Sequence, residues 1–129
     1  ITKIRFVWIQ GESDATNSTY ANNYQTNWTN WLTGAGVSSI FTGKMIPRFY
    51  NKVYLYDCRL SSATDTTLYV YLNTVNTAKN NVAATNSSEY RTINTNDLTF
   101  SADKVHYNNN GFAILGPRIG DLIIIDEKL

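Results

Sequence analysis

An α/β fold built on parallel strands is what this sequence predicts, and three observations predict it. Runs of β type alternate with segments of helical period in the order strand, helix, strand, helix, strand, helix, an alternation that builds a parallel sheet through crossover helices. The first run, "IRFVWI" over residues 4–9, is nearly unbroken in its apolar character until Gly11, as suits a strand covered on both faces. At 129 residues and 14.6 kDa the chain is one domain, able to bury a core but small for an α/β enzyme.

Each element has its own local reason. After the first strand, Thr19 is placed to cap a helix. Its Tyr20, Tyr24, Trp28, Trp31 and Leu32 recur at steps of three and four, and Gly34 and Gly36 are stop signals. The aromatic stripe reads as core packing, with a sugar platform as the alternative. Val53 and Leu55, flanked by Tyr54 and Tyr56, make a second strand after the loop around Pro47. Leu68, Leu72, Val75, Lys79 and Val82 predict an amphipathic helix over 67–84. "YRTIN" is a third strand entered through the polar "TNSSE" turn. Phe112, Leu115, Ile119, Leu122 and Ile123 share one face of a last helix beginning near Asn110, which Pro117 should kink or tighten.

Composition excludes several function classes. A net charge of +1 offers no electrostatic footprint for nucleic acid or an anionic membrane. No apolar run approaches the length of a membrane span, and the start lacks the basic-then-apolar pattern of a signal peptide. Cys58 is the only cysteine, so no intrachain disulfide and no cysteine cage for a metal forms, and a small buried hydrophobe is expected there. Abundant asparagine, threonine and tyrosine with 16% charged residues is the balance of exported or virion-surface proteins. The matches to the glycosylation sequon at Asn17, Asn27 and Asn86 carry no weight in so Asn/Thr-rich a chain.

The chemistry-bearing residues fall at two places. Gln10, Gly11, Glu12, Ser13 and Asp14 follow the carboxyl end of the first strand, the edge of an open α/β sheet where ligands bind. The single histidine, His106, stands three residues after Asp103. On a loop, that spacing lets the carboxylate hold one ring nitrogen and leaves the other free to take a proton from a hydroxyl. One histidine among scattered carboxylates predicts no metal site.

The two blocks together, "FVWIQGESDA" followed by "YANNYQTNWTNWL" and, later, "NTNDLTFSADKVHYNNNGFAILGPRI", resemble the carbohydrate acetylesterases of the SGNH (GDSL-type) hydrolase superfamily, especially the sialate O-acetylesterase-like group. Trp8, Gln10, Gly11, Glu12, Ser13 and Asp14 match one block of that family. Asp103, His106, Tyr107, Gly111, Leu115, Gly116 and Arg118 match its terminal block. The resemblance covers essentially the whole chain, with only a general match over 37–66. It implies a flavodoxin-like, three-layer α/β/α fold and cofactor-free hydrolysis of O-acetyl esters on a glycan by a serine nucleophile. Asp103 and His106 would be the orienting acid and the general base. Gln10 would donate to the oxyanion hole, with Gly11 and Glu12 beside it at the substrate.

Ser13 is the tempting nucleophile, but in the family the residue at its position does not attack. The attacking serine belongs to an earlier strand, in a Gly-Gln-Ser-type motif that this sequence lacks. Three strands where a doubly wound sheet has about five point the same way. The expectation is the C-terminal portion of an esterase domain, residues 1–129, whose N-terminal segment is either a separate, associated chain or missing. The alternatives are a non-catalytic sugar-binding or structural module and a self-contained hydrolase using Ser13.

Overall fold

The computed structural model describes residues 3–33, 52–85 and 89–127. Its elements are β1 (Lys3–Ile9), a short 3-10 turn (Asp14–Thr16), α1 (Ser18–Thr33), β2 (Lys52–Cys58), α2 (Leu72–Thr85), β3 (Tyr90–Ile93) and α3 (Asn109–Glu127). The strands form one parallel sheet in the order β1-β2-β3, with Ile9 beside Cys58 and Cys58 beside Ile93 at the carboxyl ends. The predicted order of elements and the parallel sheet are therefore present. The stop signals at Gly34 and Gly36 and the loop at Pro47 lie outside the described residues.

Alternation along the strands sorts the core into two clusters, one on each face of the sheet. Val53 and Leu55 meet Tyr24, Trp28 and Leu32 of α1 and Leu72, Val75 and Val82 of α2, and Phe6 and Trp8 of β1 pack against them. On the opposite face Tyr54, Tyr56 and Cys58 pack with Leu115 of α3, joined by half-buried Ile119, Leu122 and Ile123. Helices on both faces of a parallel sheet make the three-layer α/β/α, flavodoxin-like arrangement. Cys58 sits in this second cluster, its thiol pushed up to about 12 by burial.

Several local expectations are corrected. The residue capping α1 is Asn17 and not Thr19: Asn17 Oδ1 accepts the amides of Thr19 and Tyr20 at 2.8 and 3.3 Å, because the helix starts at Ser18. Tyr20, placed in the apolar stripe, is 59% exposed, and Ala21 takes the buried position. Leu68 is also exposed and precedes α2, which begins five residues later than its periodicity suggested. There Asp65 turns the chain by accepting the amide and hydroxyl of Thr67 at 2.9 and 2.7 Å, so the backbone satisfies itself without a helix. Pro117 lies inside α3, as expected of the last helix. The carbonyl of Ala113, deprived of its helical donor, lies on an exposed residue.

The start of α3 is held by its surroundings. Asn108 Oδ1 accepts the Gly111 amide at 3.0 Å and the Thr99 hydroxyl at 2.6 Å, and Asn108 Nδ2 donates to the Phe100 carbonyl at 2.9 Å. Gly111 is pressed against that loop so closely that a Cβ would lie 2.4 Å from the Thr99 carbonyl oxygen. Replacing it with alanine is expected to destabilise the fold by about 1–3 kcal/mol through overpacking against backbone. A urea-unfolding midpoint equal to that of the parent would disprove the close contact.

Candidate active site

The terminal block folds into a compact turn that precedes α3. The Ser101 amide donates to the His106 carbonyl at 2.8 Å, the Lys104 amide to the Ser101 carbonyl at 3.0 Å, and Lys104 takes the left-handed conformation at φ 53°. Phe100 and Tyr107 bridge across the base of the turn in antiparallel fashion. Within it Asp103 Oδ1 accepts the amides of Val105 and His106 at 2.9 and 3.0 Å, which leaves Oδ2 for the imidazole. The distance from His106 Nδ1 to Asp103 Oδ2 is 2.7 Å.

The electrostatics follow from that geometry. Hydrogen bonds from the His106 ring and two amides hold the Asp103 carboxyl at about 2, below its ordinary range. The carboxylate in turn raises the His106 pKa above the ordinary 6.5, chiefly through the hydrogen bond and then through its charge. The ring is 78% exposed, and no described residue bonds its Nε2. An imidazole with a carboxylate on Nδ1 and an open Nε2 can take a proton from a hydroxyl and return it to a leaving group.

His106 opens onto a hollow of about 360 Å³ that also receives Glu12 and Ser13 from the turn after β1. Ile9, Tyr69, Tyr107 and Phe112 supply its apolar wall, and Tyr107 meets Phe112 edge-on at 5.8 Å. Glu12 and His106, 94 positions apart in sequence, thus share one hollow at the carboxyl end of the sheet. Among the described residues no hydrogen bond joins Ser13 to the His106 ring. The Ser13 carbonyl accepts the Thr16 hydroxyl at 2.8 Å and its side chain caps nothing.

Gln10 turns to the other side. It lines a separate hollow with Trp8, Asp14, Tyr24, Asn27 and Trp28. Gln10 Nε2 donates to Asp14 Oδ2 at 2.7 Å, and Gln10 Oε1 accepts the Tyr24 hydroxyl at 3.2 Å. Period-two alternation along the end of β1 explains the split, sending Ile9 to the His106 side and Gln10 away from it. The aromatic residues of α1 contribute both to the core and to this second hollow. Trp28 and Trp31 stack at 4.7 Å, and Trp8 tilts against Trp28 at 5.1 Å.

Between the two hollows stands Gly11, with φ +129° and its missing side chain facing Val75 Cγ1 at 3.0 Å. Only glycine adopts that backbone readily. Gly11→Ala is expected to cost about 1–3 kcal/mol in strain. A thermal melt coinciding with that of the parent would contradict this requirement.

Lys79, Asp57 and Tyr90 are the residues that sequence reasoning missed. Lys79 is fully buried, and its Nζ donates to Asp57 Oδ1 at 2.6 Å, the Gln10 carbonyl at 2.7 Å and the Cys58 carbonyl at 2.9 Å. The Tyr90 hydroxyl donates to Asp57 Oδ2 and accepts from Trp28 Nε1 at 2.7 Å. Burial and the Asp57 charge push the Tyr90 pKa up. The signal available was a lysine on the apolar stripe of α2, aligned with Val75 and Val82.

Among the described residues no cluster of three or more histidine, cysteine or acidic side chains is arranged to hold a metal ion. No described helix is long and apolar enough to cross a membrane. No curated protein and no solved structure matches the chain. The family model described as carbohydrate esterase, sialic acid-specific acetylesterase matches residues 4–124, which takes in both blocks and every described strand and helix except the first and last residues. The chain therefore belongs to the sialic acid-specific acetylesterase family of carbohydrate esterases.

Proposed function

We propose that this chain carries the acid–base half of a serine-dependent carbohydrate O-acetylesterase, with the nucleophilic serine on an N-terminal segment of the same domain. The observation that carries this is the 2.7 Å pairing of Asp103 with the exposed His106 ring at the rim of a hollow shared with Glu12. His106 Nε2 takes the proton of the serine hydroxyl as its oxygen attacks the acetyl carbonyl, and returns it to the sugar oxygen as the ester bond breaks. Water, activated by the same imidazole, then frees acetate from the acetyl-enzyme. Gly11 and Glu12 form the edge that meets the sugar, and Gln10 serves the carbonyl oxygen by rotating out of the hollow it shares with Asp14 and Tyr24 toward the His106 side. In that role the Gln10 carboxamide exchanges its bond to Asp14 for the oxyanion.

The edge position of β1 in the described sheet supports a further segment docking there. β1 is an edge strand of the described sheet, and Val7 and Ile9 on its α3 side are 43% and 45% exposed. A parallel strand laid along that edge pairs its backbone, covers those side chains and ends beside the Gln10–Ser13 turn.

One observation favours a second reading, a self-contained hydrolase with Ser13 as nucleophile: Ser13 lines the same hollow as His106. A denatured intact-mass spectrum of the purified protein, beside hydrolysis of p-nitrophenyl acetate, separates the readings. A second polypeptide bearing a Gly-x-Ser segment, with activity that survives Ser13→Ala, supports the split site. Activity from this chain alone that Ser13→Ala abolishes overturns it. No hydrolysis in either sample favours a non-catalytic sugar-binding module.

A further inference from the structure

The buried ammonium of Lys79 is placed where the sheet hands the chain over to the site. Its three N–H donors meet three acceptors, two of them backbone carbonyls at the carboxyl ends of neighbouring strands, Gln10 after β1 and Cys58 at the end of β2. Asp57 Oδ1 takes the third and supplies the counter-charge. Holding the Gln10 carbonyl fixes the plane of the Gln10–Gly11 peptide. Because that peptide is trans, the Gly11 N–H is turned away from Lys79. The Lys79 Cε lies 3.5 Å from where a Gly11 side chain would begin, so the stem of the lysine also backs the turn. The next residues, Glu12 and Ser13, enter the His106 hollow. A core hydrophobe at position 79 would fill the same space without holding that peptide.

We propose that Lys79 is a positioning residue of the esterase site: it clamps the ends of β1 and β2 and thereby sets the Gln10–Glu12 turn opposite His106. This rests on the reading of His106 as the general base. Turns displaced by an ångström lose catalysis more than binding, since reaction depends on alignment.

The test uses Lys79→Met combined with Asp57→Asn, which removes both buried charges, keeps an acceptor for Tyr90 and leaves no unpaired ion. Its kcat and KM on p-nitrophenyl acetate, in the presence of the nucleophile-bearing segment, are compared with the parent. Melting curves and the amide resonances of Gly11, Glu12 and the β3 residues are recorded alongside. The expected result is a cooperative melt, KM within about two-fold and kcat lower by about 10- to 100-fold, with the Gly11 and Glu12 amides shifted and those of β3 unmoved. Unchanged kcat, unmoved Gly11 and Glu12 amides, or failure of the double variant to fold would each overturn the proposal, the last by making Lys79 a determinant of the core as a whole. His106→Ala is the control for the reading beneath it. If that variant keeps full activity, the general-base assignment fails, and the Gly11 and Glu12 amides alone decide whether Lys79 sets the turn.

Discussion

Replacing His106 with alanine is expected to lower ester hydrolysis by about 10²–10⁴-fold, the contribution of a positioned general base. The fold should be spared, because the ring is 78% exposed and its one side-chain bond is to Asp103 within the same turn. The pH dependence has a definite sign. Asp103 stabilises the imidazolium and raises the His106 pKa above 6.5, and catalysis needs the neutral ring. Activity therefore falls as pH drops through that raised value, and the acidic limb of kcat/KM lies above 6.5. Asp103→Asn removes the charge, so the limb moves to lower pH while the plateau falls through loss of the oriented tautomer. Because His106 is the only histidine, its Hε1 resonance reads the titration directly, with no assignment problem. A limb that stays in place in Asp103→Asn, or a fully active His106→Ala, would refute the dyad.

The largest effect on stability is expected at Lys79. Lys79→Ala strands the Asp57 carboxylate in the core, leaves the Gln10 and Cys58 carbonyls without their donor, and opens a cavity beside Val75 and Leu60. Losing one partner of a fully buried ion pair costs about 3–5 kcal/mol. That is a large part of the 5–15 kcal/mol by which domains are ordinarily stable. Chemical denaturation at neutral pH should show it as a lower midpoint with an unchanged slope. The Lys79→Met/Asp57→Asn pair should recover much of the loss, since both ions then leave together. A single variant as stable as the parent would show that Asp57 is protonated and needs no cation.

How much of this was legible in the sequence differs by element. The strands were, because apolar runs of β-branched and aromatic residues bounded by glycine and polar turns have few other uses. The pairing of Asp103 with His106 was legible for a similar reason: they lie three apart in one turn, so local geometry alone brings them together. The start of α2 was not, since Leu68 extends the helical period by accident while Asp65 spends the local hydrogen bonds on a turn. Nor was the capping of α1, where Asn17 and Thr19 are both competent and the exact first helical residue decides.

By itself the sequence determined the order of the elements, the parallel α/β class, the family, and the local dyad. Each of these depends on residue type and short-range spacing, which are fully present in the chain. Only the tertiary structure decided that Glu12 and Ser13 share a hollow with His106 while Gln10 faces another, and that Lys79 is a buried clamp and not a solvated cation. These depend on which faces of β1 and α2 meet across the sheet. Residues distant in sequence become neighbours only when packing excludes water, and burial then turns an ordinary lysine into a charge that must find three acceptors.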